Sequence, residues 1–256
     1  MAFASSNRSS LDPPTGGTVT SLAAKHGGDE RLVVYVDGKR AFEVAALLIE
    51  AEGLRAGAVL TAEAVDALLA KDEPYRARDK ALRLIALRDR SRHEVESRLE
   101  RAGFGAAAVG STLAWLESLG FVDDARFASR YAAEKRRGGW GERRIVSDLS
   151  RLGVDRRLVR QVLEESTGID EARTEPDRGS PGSSNGEADQ AVESALQLAR
   201  RRFGRQFAAD PESAARRLAG FLARRGFDWD TIGRITRTLR EEAGLRDRSD
   251  GDADGG

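Results

Sequence analysis

The sequence has no cysteine, only two histidines and few aromatic residues among its 256 residues. Without cysteine, disulfides and thiolate zinc sites are both excluded, and this absence favours a reducing cytoplasm over a secreted location. No run of about 18 apolar residues occurs, so no segment is predicted to cross a membrane. We therefore expect a cytoplasmic protein that depends on side-chain packing for its stability.

The familiar catalytic motifs are also missing. The sequence contains no phosphate-binding loop with its lysine, no dinucleotide-binding fingerprint and no H-E-x-x-H zinc motif. His93 falls on a polar helical face, and Asp123 and Asp124 fit a helix N-cap better than a metal pair. We therefore expect no catalytic residue, no metal and no cofactor, and we predict that the chain is not an enzyme.

The formal net charge of zero conceals two basic blocks. Residues 76–165 carry 20 basic and 14 acidic side chains, and residues 190–246 carry 12 and 7. Acidic flanks neutralise this excess over the whole chain. The overall charge therefore hides an affinity for acidic partners that the basic blocks would confer.

Three similar helix endings, "RAGF", "RLGV" and "RRGF", recur along the chain. They align on Gly103, Gly153 and Gly226, and each glycine follows a leucine by four residues and another aliphatic residue by eight. That spacing places the aliphatic residues on one helical face. A glycine just beyond the last turn favours a left-handed C-cap, and the apolar residue after it can fold back on the helix. Each copy is therefore predicted to be an amphipathic helix with the same termination.

A further segment with apolar residues at helical spacing precedes each of these three helices, and another follows it. Each repeat is therefore predicted to contain three helices. A unit of this size buries little surface alone, and stacking on neighbouring repeats is the usual solution. We therefore predict a mainly α fold of tandem three-helix repeats in an elongated array, preceded by a small β-hairpin and helix module.

In the third repeat, "FGRQFAADP" is interpreted as a lengthened loop. The expected organisation is a disordered tail (1–17), the strand and helix module (18–75), repeat one (76–120), repeat two (121–165), a disordered acidic linker (166–189), repeat three (190–245) and a disordered acidic tail (246–256).

The N-terminal module shows the alternation of β-strands. "RLVVYV" and "KRAFEV" flank Asp37-Gly38, a strong hairpin signal, and "TVTSLAAK" is a plausible third strand. Two short helices are predicted to follow. The first ends near Gly53, and the second begins at Thr61 and ends before Pro74.

Basic side chains cluster in repeats two and three and form the candidate binding surface. Those around the second-repeat loop "RRGGWGERR" are expected to be exposed, together with the tryptophan within it, because arginine beside an exposed aromatic suits a protein hot spot or a nucleic-acid contact. Trp115 and Trp229 are interpreted as packing residues, as is Phe121. The candidate partner-binding residues are Arg136, Arg137, Trp140, Arg143, Arg144, Arg216, Arg217, Arg224 and Arg225.

Three stretches carry a likeness to a known family: "GFVDDARFA", the spaced run G-x-R-R-I-x-x-D-L-x-R-L-G, and "FLARRGFDWDTI" in the third repeat. With these motifs the chain resembles the RecX family of bacterial regulators of the RecA recombinase. The resemblance implies a helical repeat protein that binds in the groove of RecA filaments on single-stranded DNA and inhibits ATP hydrolysis and strand exchange. We also expect a monomer that acts in recombination and DNA repair and makes a weak direct DNA contact.

A direct DNA-binding module is the alternative, because three-helix units can adopt helix-turn-helix folds. The candidate second helices place similar apolar residues inward and mixed charge outward. They carry no face rich in asparagine or glutamine, which disfavours specific reading of bases.

Overall fold

The computed structural model describes residues 16–24, 30–168 and 186–244. These residues are mainly helical and divide into two compact units, the first ending at Val122 and the second beginning at Asp123. The first unit contains the strand module and repeat one, and the second contains repeats two and three. The prediction of a mainly α fold with a small strand module and tandem three-helix repeats is confirmed.

The N-terminal module contains a four-stranded antiparallel sheet. Its strands are β1 (Gly16–Ala24), β2 (Arg31–Val36), β3 (Lys39–Ala45) and β4 (Val59–Thr61), in the order β3-β2-β1-β4. The Asp37-Gly38 turn joins β2 and β3 with positive φ values of 49° and 76°, as predicted for a tight hairpin. The short helix α1 (Ala46–Ala51) follows β3, whereas β4 was not predicted.

Helix α2 (Ala62–Leu87) continues through Pro74, so the prediction that it ends before this proline is wrong. The reason is tertiary packing on both sides of the proline. Before it, buried Asp72 accepts hydrogen bonds from Arg31 Nη2 at 2.6 Å and from the Ala45 backbone N–H at 2.9 Å. After it, Ala77 and Ala81 are fully buried in the core of repeat one. These contacts offset the roughly 3 kcal/mol that an internal proline costs.

Repeat one is formed by the second half of α2, by α3 (Arg92–Arg101) and by α4 (Ala106–Ser118). Ser91 and Glu94 form the predicted capping box at the start of α3. Leu99 and Leu113 are fully buried between the helices, and Trp115 packs against the same core. Phe121, which was expected in a core, is about half exposed at 51%.

Repeats two and three have the same three-helix pattern. Their helices are α5 (Asp124–Arg137), α6 (Glu142–Arg151), α7 (Arg156–Gly168), α8 (Gly186–Ala209), α9 (Pro211–Arg224) and α10 (Trp229–Glu242). Asp123 caps α5 and Asp210 caps α9, as predicted. The supposed loop "FGRQFAADP" is mostly helical and forms the end of α8. Phe203 and Phe207 lie one turn apart there and are buried in the repeat-three core.

The three marked glycines are left-handed C-caps, as predicted. Their φ values are 85° at Gly103, 82° at Gly153 and 87° at Gly226. In each case the residue after the glycine donates its backbone N–H to the carbonyl oxygen of the leucine five residues earlier, at 3.1 to 3.2 Å. This is the Schellman arrangement, and it ends α3, α6 and α9 in the same way.

Some predicted boundaries shift at the ends of the described ranges. Gly16 and Gly17 belong to β1 rather than to a tail, and the segment predicted as the linker begins and ends in helix, because α7 reaches Gly168 and α8 starts at Gly186. The predictions of disorder for 1–15, 169–185 and 246–256 lie outside the described residues.

Candidate partner-binding surface

Arg136 is buried, which contradicts its assignment to an exposed basic cluster. Its side chain lies on the same face of α5 as the buried residues Ala128 and Ala132, and the residue is 3% exposed. Its Nη1 donates a hydrogen bond to Ser166 Oγ on α7 at 2.9 Å. Arg136 therefore stabilises the contact between α5 and α7 and is not available to a partner.

Arg225 and Trp140 connect repeats two and three. The Arg225 guanidinium lies over the rings of Trp140 and Phe221, at 4.8 and 4.9 Å from their centroids. It also donates to the carbonyl oxygens of Gly138 at 2.7 Å and Gly139 at 3.0 Å. Burial, and to a smaller extent the charge of Arg202, lower the pKa of Arg225. Both side chains therefore make contacts within the molecule, and their contact with a partner stays a prediction.

Two glycines allow the backbones of these repeats to approach closely. The Gly141 N–H donates to the Arg225 carbonyl oxygen at 2.8 Å. A Cβ atom at Gly141 would lie 2.4 Å from the Gly226 carbonyl oxygen, and one at Gly226 would lie 2.4 Å from the Arg144 backbone nitrogen. Arg144 itself is half-buried and donates from Nε to Asp148 at 3.1 Å. Arg144 is therefore less exposed than predicted, although 40% of its side chain is still accessible.

Five of the nine predicted residues are exposed. These are Arg137, Arg143, Arg216, Arg217 and Arg224. Within the part of the chain that the structure describes, none of these five side chains has a hydrogen bond or an ion pair. Their charge is therefore available to a partner, and they form the part of the predicted surface that the structure leaves accessible.

A groove on the outer side of α6 was not anticipated. It is a cavity of about 540 Å³ lined by Arg143, Val146, Ser147, Ser150, Arg151 and Arg156. Only Arg143 among these was a predicted site residue. Trp229, interpreted from the sequence as a packing residue, is 68% exposed at the first position of α10. Arg156 and Trp229 occupy equivalent positions, three residues after the marked glycine of their repeats.

The described ranges contain no group of three or more histidine, aspartate or glutamate side chains placed to share a metal ion. No helix in those ranges is long and apolar enough to cross a membrane. The chemistry that this surface offers is therefore charge, hydroxyl groups and one exposed indole ring.

Sequence comparison places three matches in the helical repeats. The models "RecX, first three-helix domain", "RecX, second three-helix domain" and "RecX, third three-helix domain" match residues 77–116, 123–163 and 188–236. The regulatory protein RecX of Mycobacterium avium is 33% identical over 180 residues, covering 69% of this chain and 92% of the relative. That of Clostridium acetobutylicum is 24% identical over 225 residues, covering 88% and 97%.

Solved structures share the fold. A crystal structure of regulatory protein RecX aligns with a TM-score of 0.59 at 19% identity, covering 85% of this chain and 98% of the other. The structure of RecX from Lactobacillus salivarius aligns with a TM-score of 0.53 at 20% identity, covering 66% and 97%. With its three matched domains and the relative at 33% identity, the chain belongs to the RecX family of regulatory proteins.

Proposed function

We propose that this protein binds RecA filaments on single-stranded DNA, within the filament groove, and inhibits ATP hydrolysis and strand exchange by the recombinase. The observation that carries the proposal is the match of all three helical repeats to the RecX domains. In this role the protein modulates recombination and DNA repair in the cytoplasm, acts as a monomer and performs no catalysis itself.

The exposed arginines of repeats two and three support a polyanionic partner. Arg143 on α6 and Arg216, Arg217 and Arg224 on α9 are exposed and make no hydrogen bond or ion pair within the described residues. A filament of recombinase on single-stranded DNA presents many phosphate charges along its length. Attraction to such a partner speeds association and weakens with added salt.

Contacts between repeats two and three also support a partner larger than a small ligand. The Arg225 guanidinium, its stacking on Trp140 and the close approach of Gly141 to Gly226 hold the two repeats against each other. Charges on α6 and α9 are therefore held at fixed positions relative to each other. A preorganised surface loses less entropy on binding than two independently moving repeats would.

The test compares binding to bare single-stranded DNA, bare duplex and RecA-coated single-stranded DNA at several salt concentrations. A preference for the coated filament by ten-fold or more at each salt concentration is expected. Equal affinity for bare DNA and coated filament would contradict the proposal and would favour the direct DNA-binding module instead.

A further inference from the structure

The groove on α6 combines positive charge with hydroxyl groups. Arg143 stands at one end, Ser147 and Ser150 line the middle, and Arg151 and Arg156 stand at the other end. Eight residues separate Arg143 from Arg151, which corresponds to about 12 Å along the helix. The groove is therefore long enough to follow more than one phosphate of an extended strand.

Two of the three arginines in the groove make no direct polar contact with another described side chain. Arg143 and Arg156 have no ion pair or hydrogen bond among the residues that the structure describes. Arg151 shares the carboxylate of Asp148 with Arg144, at 2.5 and 3.1 Å, and still keeps 71% of its side chain exposed. Glu142 and Asp155 are exposed nearby in the sequence, so the neighbourhood of the groove is not exclusively basic.

The backbone just before Trp229 lies close to the N-terminal end of α6, which carries Arg143. Gly141, two residues before Arg143, packs against the backbone of Gly226 and Phe227. The charge of Arg143 also reaches Asp228, the residue before Trp229. The pKa of Asp228 is lowered, mainly by the hydrogen bond from the Thr231 backbone N–H and to a smaller extent by Arg143. The segment that carries the exposed Trp229 side chain therefore approaches the turn of α6 that carries Arg143.

Repeat three presents the same pattern of arginines. Alignment on the marked glycines places Arg216 and Arg224 at the positions of Arg143 and Arg151. Repeat one lacks this basic face, because Glu96 and Glu100 stand there at the positions of Val146 and Ser150. The Glu96 carboxylate also lies 3.5 Å from the Arg92 guanidinium. A basic face is therefore a property of the two C-terminal repeats and not a general consequence of the repeat fold.

We propose that the α6 groove binds the phosphate backbone of single-stranded nucleic acid, with Trp229 stacking on a base at the Arg143 end. Guanidinium groups and hydroxyl groups donate hydrogen bonds to phosphate oxygens, and an exposed indole ring stacks on any base. The inference rests on the proposed function in one respect. If the protein lies in the groove of a recombinase filament, the α6 groove would contact the DNA strand there.

A nucleic acid fits this surface better than an acidic protein segment because of the tryptophan. Carboxylates of a peptide would satisfy the arginines equally well, but they would leave the exposed ring of Trp229 without a flat partner. The combination of a basic track with an aromatic platform is the usual design for single strands bound without sequence preference.

The test uses the full chain and a fluorescently labelled oligothymidylate at low salt, with affinity measured by anisotropy. The Arg143→Glu/Arg156→Glu variant should lose about ten-fold or more in affinity. The slope of log affinity against log salt should flatten by about 1 to 1.5, since two phosphate contacts are lost. Arg201→Glu/Arg205→Glu is the matched control, because these two residues are exposed on α8 and lie outside the groove. It makes the same change in charge and should shift affinity by less than about three-fold.

Trp229 is tested separately. Trp229→Ala should weaken oligothymidylate binding about five-fold or more, whereas Trp229→Phe should retain most of the affinity because its ring still stacks. Oligothymidylate should quench the intrinsic fluorescence of the parent, and most of this quenching should disappear in Trp229→Phe. Circular dichroism verifies that each variant is folded.

Several results would overturn the proposal. Equal loss of affinity in the groove variant and the α8 control would show that only net charge matters. Unchanged oligonucleotide binding in the groove variant, with weakened binding to DNA-free RecA, would assign the groove to an acidic protein surface. Because oligothymidylate binding is measured without recombinase, its failure would leave the proposed inhibition of RecA standing, and failure of that inhibition would leave the groove standing.

Discussion

Replacing Gly141 with alanine tests the docking of repeat three on repeat two. Gly141 is the N-cap of α6 and has φ −79° and ψ 159°, a conformation that alanine adopts without strain. The added Cβ atom would nevertheless lie 2.4 Å from the Gly226 carbonyl oxygen and 2.6 Å from the Phe227 nitrogen. The perturbation is therefore mainly steric and acts on the contact between the repeats.

The expected cost follows from the distances. Ordinary contact begins near 3.4 Å, so the two backbones must separate by about 1 Å. Overpacking of this kind costs about 1–3 kcal/mol. Separation also weakens the hydrogen bond from the Gly141 N–H to the Arg225 carbonyl oxygen, now 2.8 Å long, which contributes about 1 kcal/mol. We expect Gly141→Ala to lower the free energy of unfolding of the second unit by about 2–4 kcal/mol.

Gly105→Ala is a matched control. Gly105 is the N-cap of α4 with φ −69° and ψ 154°, and like Gly141 it makes no side-chain capping bond. A Cβ atom there would meet only the Glu73 carboxylate, at an ordinary 3.6 Å. Its replacement should therefore cost less than about 1 kcal/mol.

Urea unfolding followed by circular dichroism measures both variants against the parent. With a denaturant slope of about 1–3 kcal/mol per molar urea, Gly141→Ala should unfold at a concentration about 1 M lower than Gly105→Ala. Equal midpoints for the two variants would refute the close packing of Gly141 against Gly226.

Three further predictions follow from the caps and the buried arginine. Gly153→Val should destabilise repeat two by roughly 1–2 kcal/mol or more, because a β-branched residue is strained at φ 82°, and an unchanged melting temperature would count against the repeated cap. Arg136→Glu should lower the melting temperature by several degrees, whereas Arg137→Glu next to it should not; equal effects would contradict the burial of Arg136. Hydrogen bonds from backbone N–H groups lower the pKa values of Asp155 and Asp228 in the folded protein. The ionised carboxylates therefore stabilise the fold fully above their ordinary pKa of about 3.9, and this contribution is lost as the pH falls through the lower folded-state pKa values. The parent should therefore lose stability below about pH 4, and the Asp155→Asn/Asp228→Asn variant should lose less over the same range; parallel pH profiles would argue against these caps.

The repeats could be predicted from the sequence because their signals are local. A leucine four residues before a glycine, with an apolar residue after it, specifies both the buried face and the termination of one helix. Pro74 shows where local signals fail. It normally breaks a helix, but α2 continues because Asp72 and Ala77 are buried in contacts that come from distant parts of the first unit.

The binding surface was harder to predict because exposure depends on tertiary contacts. Arg136 belongs to a basic run at a helix end, which usually indicates solvent exposure. Its spacing of four and eight residues from Ala132 and Ala128 was a signal of burial that the charge obscured. Arg225 could not be assigned from the sequence, because its contact with Trp140 joins residues from different repeats.

The most direct test of the central claim is the rate of ATP hydrolysis by RecA on single-stranded DNA as this protein is added. The rate should fall with increasing protein, and the Arg143→Glu/Arg156→Glu variant should inhibit less than the Arg201→Glu/Arg205→Glu control. The protein alone should hydrolyse no ATP. If the rate of ATP hydrolysis by RecA stays constant across the titration, with the protein folded and in excess, then this protein does not inhibit the recombinase.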